Sequence, residues 1–198
     1  MRFQLAQAFR FTLLLTILTG LIYPGVVTGL CQLLFPSFAN GSLVVVDGKI
    51  VGSALLGQNF NRPEYFHPRP SAAGNDGYDA TASGGPNFGP TNQKLIDRVK
   101  ADVAKFHAEN PGYEGPIPAD MLTASASGLD PHISPASALA QAPRVAQARG
   151  VTLDQVKQLI AAHTQGRRLG FLGEPRVNVL LLNLDLNQKF PISPKKPA

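Results

Sequence analysis

Phe11 to Phe35 reads FTLLLTILTGLIYPGVVTGLCQLLF, and no charged side chain occurs between Arg10 and Asp47. A hydrocarbon core of roughly 30 Å needs about 20 helical residues at 1.5 Å each, so this run can span a bilayer with tilt. A buried helix of a soluble protein is usually shorter and amphipathic. A cleaved signal sequence is the sharper rival, because Ser37-Phe38-Ala39 supplies small residues at the cleavage spacing. Its apolar region would ordinarily hold only about 7–15 residues. Cys31 follows the bulky Leu30, which does not suit a lipoprotein acceptor. The run is therefore read as one retained transmembrane helix, residues 11–35, after a short N-terminus, residues 1–10.

The flanks orient the helix. Arg2 and Arg10 precede it with no acidic residue beside them, whereas the first cation after it is Lys49, next to Asp47. The positive-inside rule puts residues 1–10 in the cytoplasm and residues 36–198 outside. The anchor also carries a pattern. Thr12, Thr16, Thr19 and Tyr23 recur at helical spacing, Gly20 lies beside them, and Gly25-Val26-Val27-Thr28-Gly29 is a GxxxG. Small residues and hydroxyls at such spacing let a second membrane helix approach closely and hydrogen-bond, so this face is expected to pack on a membrane partner.

Beyond the anchor, composition sets bounds. The chain has 198 residues and a net charge of +5, with 16 basic against 13 acidic residues after the span. That balance is too mild and dispersed to imply nucleic acid. The lone Cys31 forms no internal disulfide and belongs to no CxxC pair. Gly 19 and Pro 17 together exceed the usual share, so much of the chain is expected in turns and tight loops.

Leu43–Val46 and Lys49–Val51 flank Asp47-Gly48, the pattern of a β-hairpin. Residues 57–92 lack hydrophobic period, yet Phe60, Tyr65, Phe66, Tyr78 and Phe88 are interleaved through them. Disordered segments are poor in aromatics, so an ordered functional loop packed on the core is expected. Thr91 is the expected cap of a helix carrying Leu95, Val99, Val103 and Phe106, which Asn110-Pro111-Gly112 stops. Ser134-Pro135 opens an alanine-rich helix that Pro143 is expected to kink or divide before Arg149-Gly150. Thr152-Leu153-Asp154-Gln155 is a capping box, with Val156, Leu159 and Ile160 continuing an apolar face. Val177 to Leu186, apolar on both faces, predicts a central buried strand. The fold class is α+β: a single N-terminal transmembrane helix followed by one extracytoplasmic mixed α/β domain, residues 36–186.

The chemistry is sparse. Gly41 to Ile50 misses the GxxxxGK[ST] spacing of a phosphate-cradling loop, and Ser125-Ala126-Ser127-Gly128 misses GxSxG. His67, Asp130 and His132, with Asp76 or Asp79, are candidate metal ligands, and a membrane-tethered periplasmic hydrolase or metal-binding protein built on them is the alternative reading. Loop carbonyls with Asp76 and Asp79 could alternatively gather oxygens for K+. Glu174 and Arg176, separated by Pro175, read as an ion pair or an interface contact.

Several stretches occur together in order: GSALLGQNF from Gly52 to Phe60, YFHPRPSA from Tyr65 to Ala72, and ASGG from Ala82 to Gly85 with Asn87, Gly89, Thr91 and Asn92. TASASGLDPHISP from Thr123 to Pro135, RVAQAR from Arg144 to Arg149, and GEPRVNVLLLNLDL from Gly173 to Leu186 complete the set. The combination resembles the KdpC family, the C subunit of the high-affinity Kdp potassium-transporting ATPase. The resemblance implies a single-pass subunit of the bacterial inner membrane, its domain periplasmic, without catalytic residues of its own. It also implies three partners: a channel-like potassium-binding subunit, a P-type subunit that hydrolyses ATP, and a very small membrane subunit. ATP and K+ would then concern the chain through the complex, and the family is described as a catalytic chaperone that raises ATP affinity. On this reading Phe66, His67, Arg69, Tyr78, Asn87, Asp130 and Arg144 are expected at the interface. Pro86 departs from the serine expected in that segment, and the tail from Asn187 to Ala198, which lies beyond the resemblance, is expected to be flexible.

Overall fold

A computed structural model of the protein describes residues 2–192; part of the expected flexible tail lies outside the described residues. The chain divides into two compact units with the boundary between Ser53 and Ala54.

The first unit is built on an apolar helix. It comprises α1 (Arg2–Ile17), a π-helical turn (Leu18–Ile22) and α2 (Tyr23–Leu34), and Phe3–Leu34 is long and apolar enough to cross a membrane. Helix therefore begins ahead of the apolar run. Pro24 has no N–H to give the Gly20 carbonyl, and the wider π turn just before it makes room for its ring. Thr19 Oγ1 donates to the Leu15 carbonyl at 2.7 Å, so that hydroxyl bonds to its own helix. After a short turn of helix, α3 (Pro36–Ala39), strands β1 (Leu43–Val46) and β2 (Lys49–Ser53) pair antiparallel. Asp47 and Gly48 both lie at positive φ, +50° and +74°, as a two-residue turn matched to strand twist requires.

The second unit holds α4 (Gln93–Glu109), β3 (His132–Ile133), α5 (Pro135–Arg149), α6 (Leu153–His163), β4 (Thr164–Gln165), β5 (Arg176–Asn178) and α7 (Val179–Lys189). The three short strands form one antiparallel sheet in the order β3-β5-β4. Ala138, Ala142 and Val145 of α5, Val156, Leu159 and Ile160 of α6, and Leu182 and Leu186 of α7 make the core. Phe66, wholly buried, enters this core from the long loop.

Three local expectations change. The strand expected over Val177 to Leu186 ends at Asn178, whose side chain accepts from the Leu181 N–H and caps α7. Val179, Leu182, Asn183 and Leu186 then bury at helical spacing, a period masked because the neighbouring residues are apolar too. Pro143 does not divide α5, which runs on to a Schellman close at Gly150 (φ +66°) with Val151 N donating to Ala146 O at 3.1 Å. The α4 cap is Asn92 rather than Thr91.

Candidate functional site

Tyr65-Phe66-His67 has no strand neighbour, so its buried peptide groups need side-chain partners. Asn183 supplies one pair: its Oδ1 accepts from Phe66 N at 2.9 Å and its Nδ2 donates to Phe66 O at 3.0 Å. Gln141 repeats the device one residue on, accepting from His67 N at 2.7 Å and donating to His67 O at 3.1 Å. Two amides, from α7 and α5, thus replace a missing strand.

Two arginines of α5 complete the clamp. Arg144 Nη1 donates to the carbonyls of Pro63 (2.6 Å) and Tyr65 (2.9 Å), its Nε to Asn110 Oδ1 (3.0 Å), and its Nη2 to Gln141 Oε1 (2.7 Å). Burial pulls its pKa down to about 10. Arg149 stacks over the Tyr65 ring at 5.0 Å and donates to Glu64 O and Phe190 O, joining the loop to the end of α7. His67 is buried beside Arg144, with Nε2 at 3.0 Å from Arg62 O and Nδ1 at 3.2 Å from Glu109 Oε2. Burial pushes the Glu109 carboxyl up, but the His67 hydrogen bond and charge, with Lys105 and Arg144, hold it below its ordinary value.

A second network ties the loop to the segment before β3. Arg69 Nη1 donates to Asp130 Oδ2 at 2.8 Å, and Asp130 Oδ1 accepts from His132 N at 3.0 Å. Burial raises the Asp130 pKa, and the bonds from His132 and Arg69 more than reverse it. Tyr78, at φ +60°, donates its hydroxyl to Arg69 O, while burial and the Asp130 charge push that hydroxyl's pKa up. A Cβ on Gly57 would stand 2.3 Å from the Tyr78 ring and 2.7 Å from Asp130 O, so only glycine fits there.

Between the loop and α4 lies a cleft of about 1020 Å³, lined by Asn59, Arg69, Tyr78, Phe88, Arg98 and Glu109 among others. Arg69, Arg98 and Lys105 face it together with Asp76, Asp102 and Glu109, so its charges balance. Arg98 Nε and Asp102 Oδ2 are 3.8 Å apart, and neither atom makes a hydrogen bond among the described residues. Burial raises the Asp102 pKa against the pull of Arg98 and Lys105.

The residues expected at an interface thus fall into separate places. His67 and Arg144 share one buried network; Arg69, Tyr78 and Asp130 share another, half-buried one; Asn87 stands exposed at φ +50°. Phe66 is a core residue with no exposed surface, so in this conformation it has none to offer a partner. His67 and Asp130 do not converge, and no group of three or more His, Cys, Asp or Glu gathers among the described residues. Asp76 lines the cleft, whereas Asp79 turns aside to cap the single turn Ala80–Ala82. Glu174 pairs with Arg167 at 2.8 Å, not with Arg176.

In the apolar helix, Gly20, Gly25 and Gly29 have open space where a Cβ would stand. Because an i→i+5 turn holds more than 3.6 residues, the face of Thr12, Thr16 and Thr19 has rotated by the time the chain reaches Tyr23.

Sequence reasoning missed Gln141, Arg149 and Asn183 as partners of the loop, and Asn110 as a partner of Arg144. A signal existed for Asn183, a lone amide inside LLLNLDL, since an uncharged polar residue in a buried run must find a partner.

Comparison with known proteins places most of the chain in one family. The family model described as "KdpC: K+-transporting ATPase, c chain" matches residues 5–188. A potassium-transporting ATPase KdpC subunit of Koribacter versatilis is 55% identical over 192 residues, covering 97% of this chain and 98% of that protein. The corresponding subunit of Myxococcus xanthus is 57% identical over 92% of this chain and 87% of its own. That of Caulobacter vibrioides is 60% identical over 90% and 89%.

Proposed function

Since the chain belongs to the KdpC family, the c chains of the K+-transporting ATPase, we propose that it serves the potassium pump as a subunit with no chemistry of its own. One observation carries this reading. The polar side chains gathered around the loop are engaged in holding it: His67, Arg69, Gln141, Arg144, Arg149 and Asn183 all bond within the chain. Such an arrangement gives a loop a fixed shape on a rigid scaffold, which suits a lasting interface.

In this proposal the apolar helix spans the membrane with the N-terminus in the cytoplasm, and the second unit stands on the periplasmic side beside the channel-like potassium-binding subunit, capping the side from which K+ is taken up. The face of Thr12, Thr16, Thr19, Gly20, Gly25 and Gly29 packs on the membrane subunits. Arg69, Tyr78, Asn87 and Asp130 belong to the docking surface. ATP is cytoplasmic, so the chain raises the ATP affinity of the P-type subunit at a distance. Coupling of that kind is worth about 1–3 kcal/mol, roughly 5–150-fold in affinity.

The test is purification of the complex with and without this chain, measuring subunit recovery, K+-stimulated ATP hydrolysis and its dependence on ATP concentration. Loss of assembly or a weakened response to ATP supports the proposal. Recovery and turnover unchanged by the deletion would overturn it.

A further inference from the structure

The connection between β4 and β5 has no role in the networks above. It runs Gly166-Arg167-Arg168-Leu169-Gly170-Phe171-Leu172-Gly173-Glu174-Pro175 and folds back on itself as a bridged turn. Arg168 and Leu172 exchange both backbone hydrogen bonds at 2.9 Å, forming an isolated bridge. Below it, Arg167 Nη2 donates to both carboxylate oxygens of Glu174, at 2.9 and 2.8 Å. The turn places Leu169 at φ +52° and Gly170 at φ +81°.

The tip is apolar. Leu169 is 82% exposed, Phe171 69% and Leu172 50%. A leucine at positive φ is strained, and here the strain returns no burial, since the side chain stays exposed. Glycine would serve the turn better, so the apolar side chain is what the position presents. Clustered exposed apolar side chains mark interaction sites.

We infer that this hairpin is a preformed knob that docks into an apolar socket, rimmed by a carboxylate, on another protein subunit of the potassium-transporting ATPase. The inference rests on the reading of the chain as a subunit of that assembly. Rigidity favours a protein over lipid, because a fixed backbone gains affinity only against a surface of fixed complementary shape, whereas a fluid bilayer accepts any amphipathic contour. Charge supplies the rim. Arg167 is neutralised by Glu174, while the Arg168 side chain beside the tip makes no ion pair among those found in the described residues, so it calls for an acidic neighbour. Phe and Arg, both present at this small protrusion, are residue types enriched at interfaces.

The test uses the full chain in the assembled complex. A photoreactive phenylalanine analogue at Phe171 is expected to cross-link to a protein subunit, and adducts to lipid alone, or none, would overturn the inference. In parallel, Leu169→Gly with Phe171→Ser should lower retention of the chain in the purified complex at least tenfold. Leu169→Gly alone should leave the thermal midpoint of the full chain unchanged or raised, because glycine relieves the turn. A midpoint that falls together with retention would make the hairpin a folding element and overturn docking. The two readings separate cleanly: a double variant that stays bound, in a complex whose assembly still needs the chain, sinks the knob alone.

Discussion

Arg144 joins four partners with one planar group, and this is where the loop is most vulnerable. A lysine keeps the charge but cannot reach Pro63 O, Tyr65 O, Asn110 and Gln141 from one plane. Arg144→Lys is therefore expected to destabilise the chain by about 2–4 kcal/mol, read from denaturant titration, since hydrogen bonds to a buried charged group contribute about 1.5–3 kcal/mol each and some survive. A variant within experimental error of the parent would show that the guanidinium is dispensable. Asn183→Leu should cost about 2 kcal/mol by stranding both peptide groups of Phe66. The carboxylates set the acid limb. Burial raises Glu109 and Asp130, but their partners hold both below the ordinary values, so each contributes stability above its unfolded pKa that is lost as pH falls through the folded one. The second unit should therefore loosen below about pH 4, with Asp130→Asn showing a shallower loss over that window in pH-dependent melting. An identical acid profile in the variant would remove Asp130 from this account.

At the scale of elements, what could be read from sequence was whatever a local rule decides. Asp47-Gly48 fixed the hairpin and Thr152 with Gln155 the start of α6, because turn and cap chemistry act within a few residues. Val177 to Leu186 misled because apolar residues on both faces mask the helical period, leaving Asn178 as the local sign that a helix begins. Pro143 misled in the other direction: one missing N–H was outweighed by the burial of Ala138, Ala142, Val145 and Ala146 on both sides of it. Two outcomes follow. Asn178→Ala should lower stability by about 1–2 kcal/mol, losing a cap and the bond from its amide to Ala54 O. Pro143→Ala should raise the thermal midpoint, since an alanine N–H can bond the Leu139 carbonyl and helix propensity favours alanine by about 3 kcal/mol, less the entropy returned to the unfolded chain. A lower midpoint would mean that the proline ring packs better than the helix bond it displaces.

For the molecule as a whole, the long apolar helix was plain because charge is absent from one long run of sequence. The site was only half plain. YFHPRP and RVAQAR stood out as residue patterns, yet their meaning lies in bonds such as Phe66 to Asn183, 117 positions apart, which no local rule reaches. The same limit applies to the apolar helix, where Gly20, Gly25 and Gly29 leave open space that no described residue fills. Without a hydrophobic drive between helices in lipid, close approach of backbones is what holds them together, so bulk at these positions should act on assembly and not on folding. Gly25→Leu with Gly29→Leu is expected to lower co-purification of the chain with the other pump subunits severalfold, while the melting of the second unit, followed by hydrogen exchange in the core of α5 and α6, stays as in the parent. Thr12→Val with Thr16→Val, which alters hydroxyls but adds little volume, should do less. Equal recovery of the leucine variant would mean that the helix is a tether and that the second unit alone carries the association.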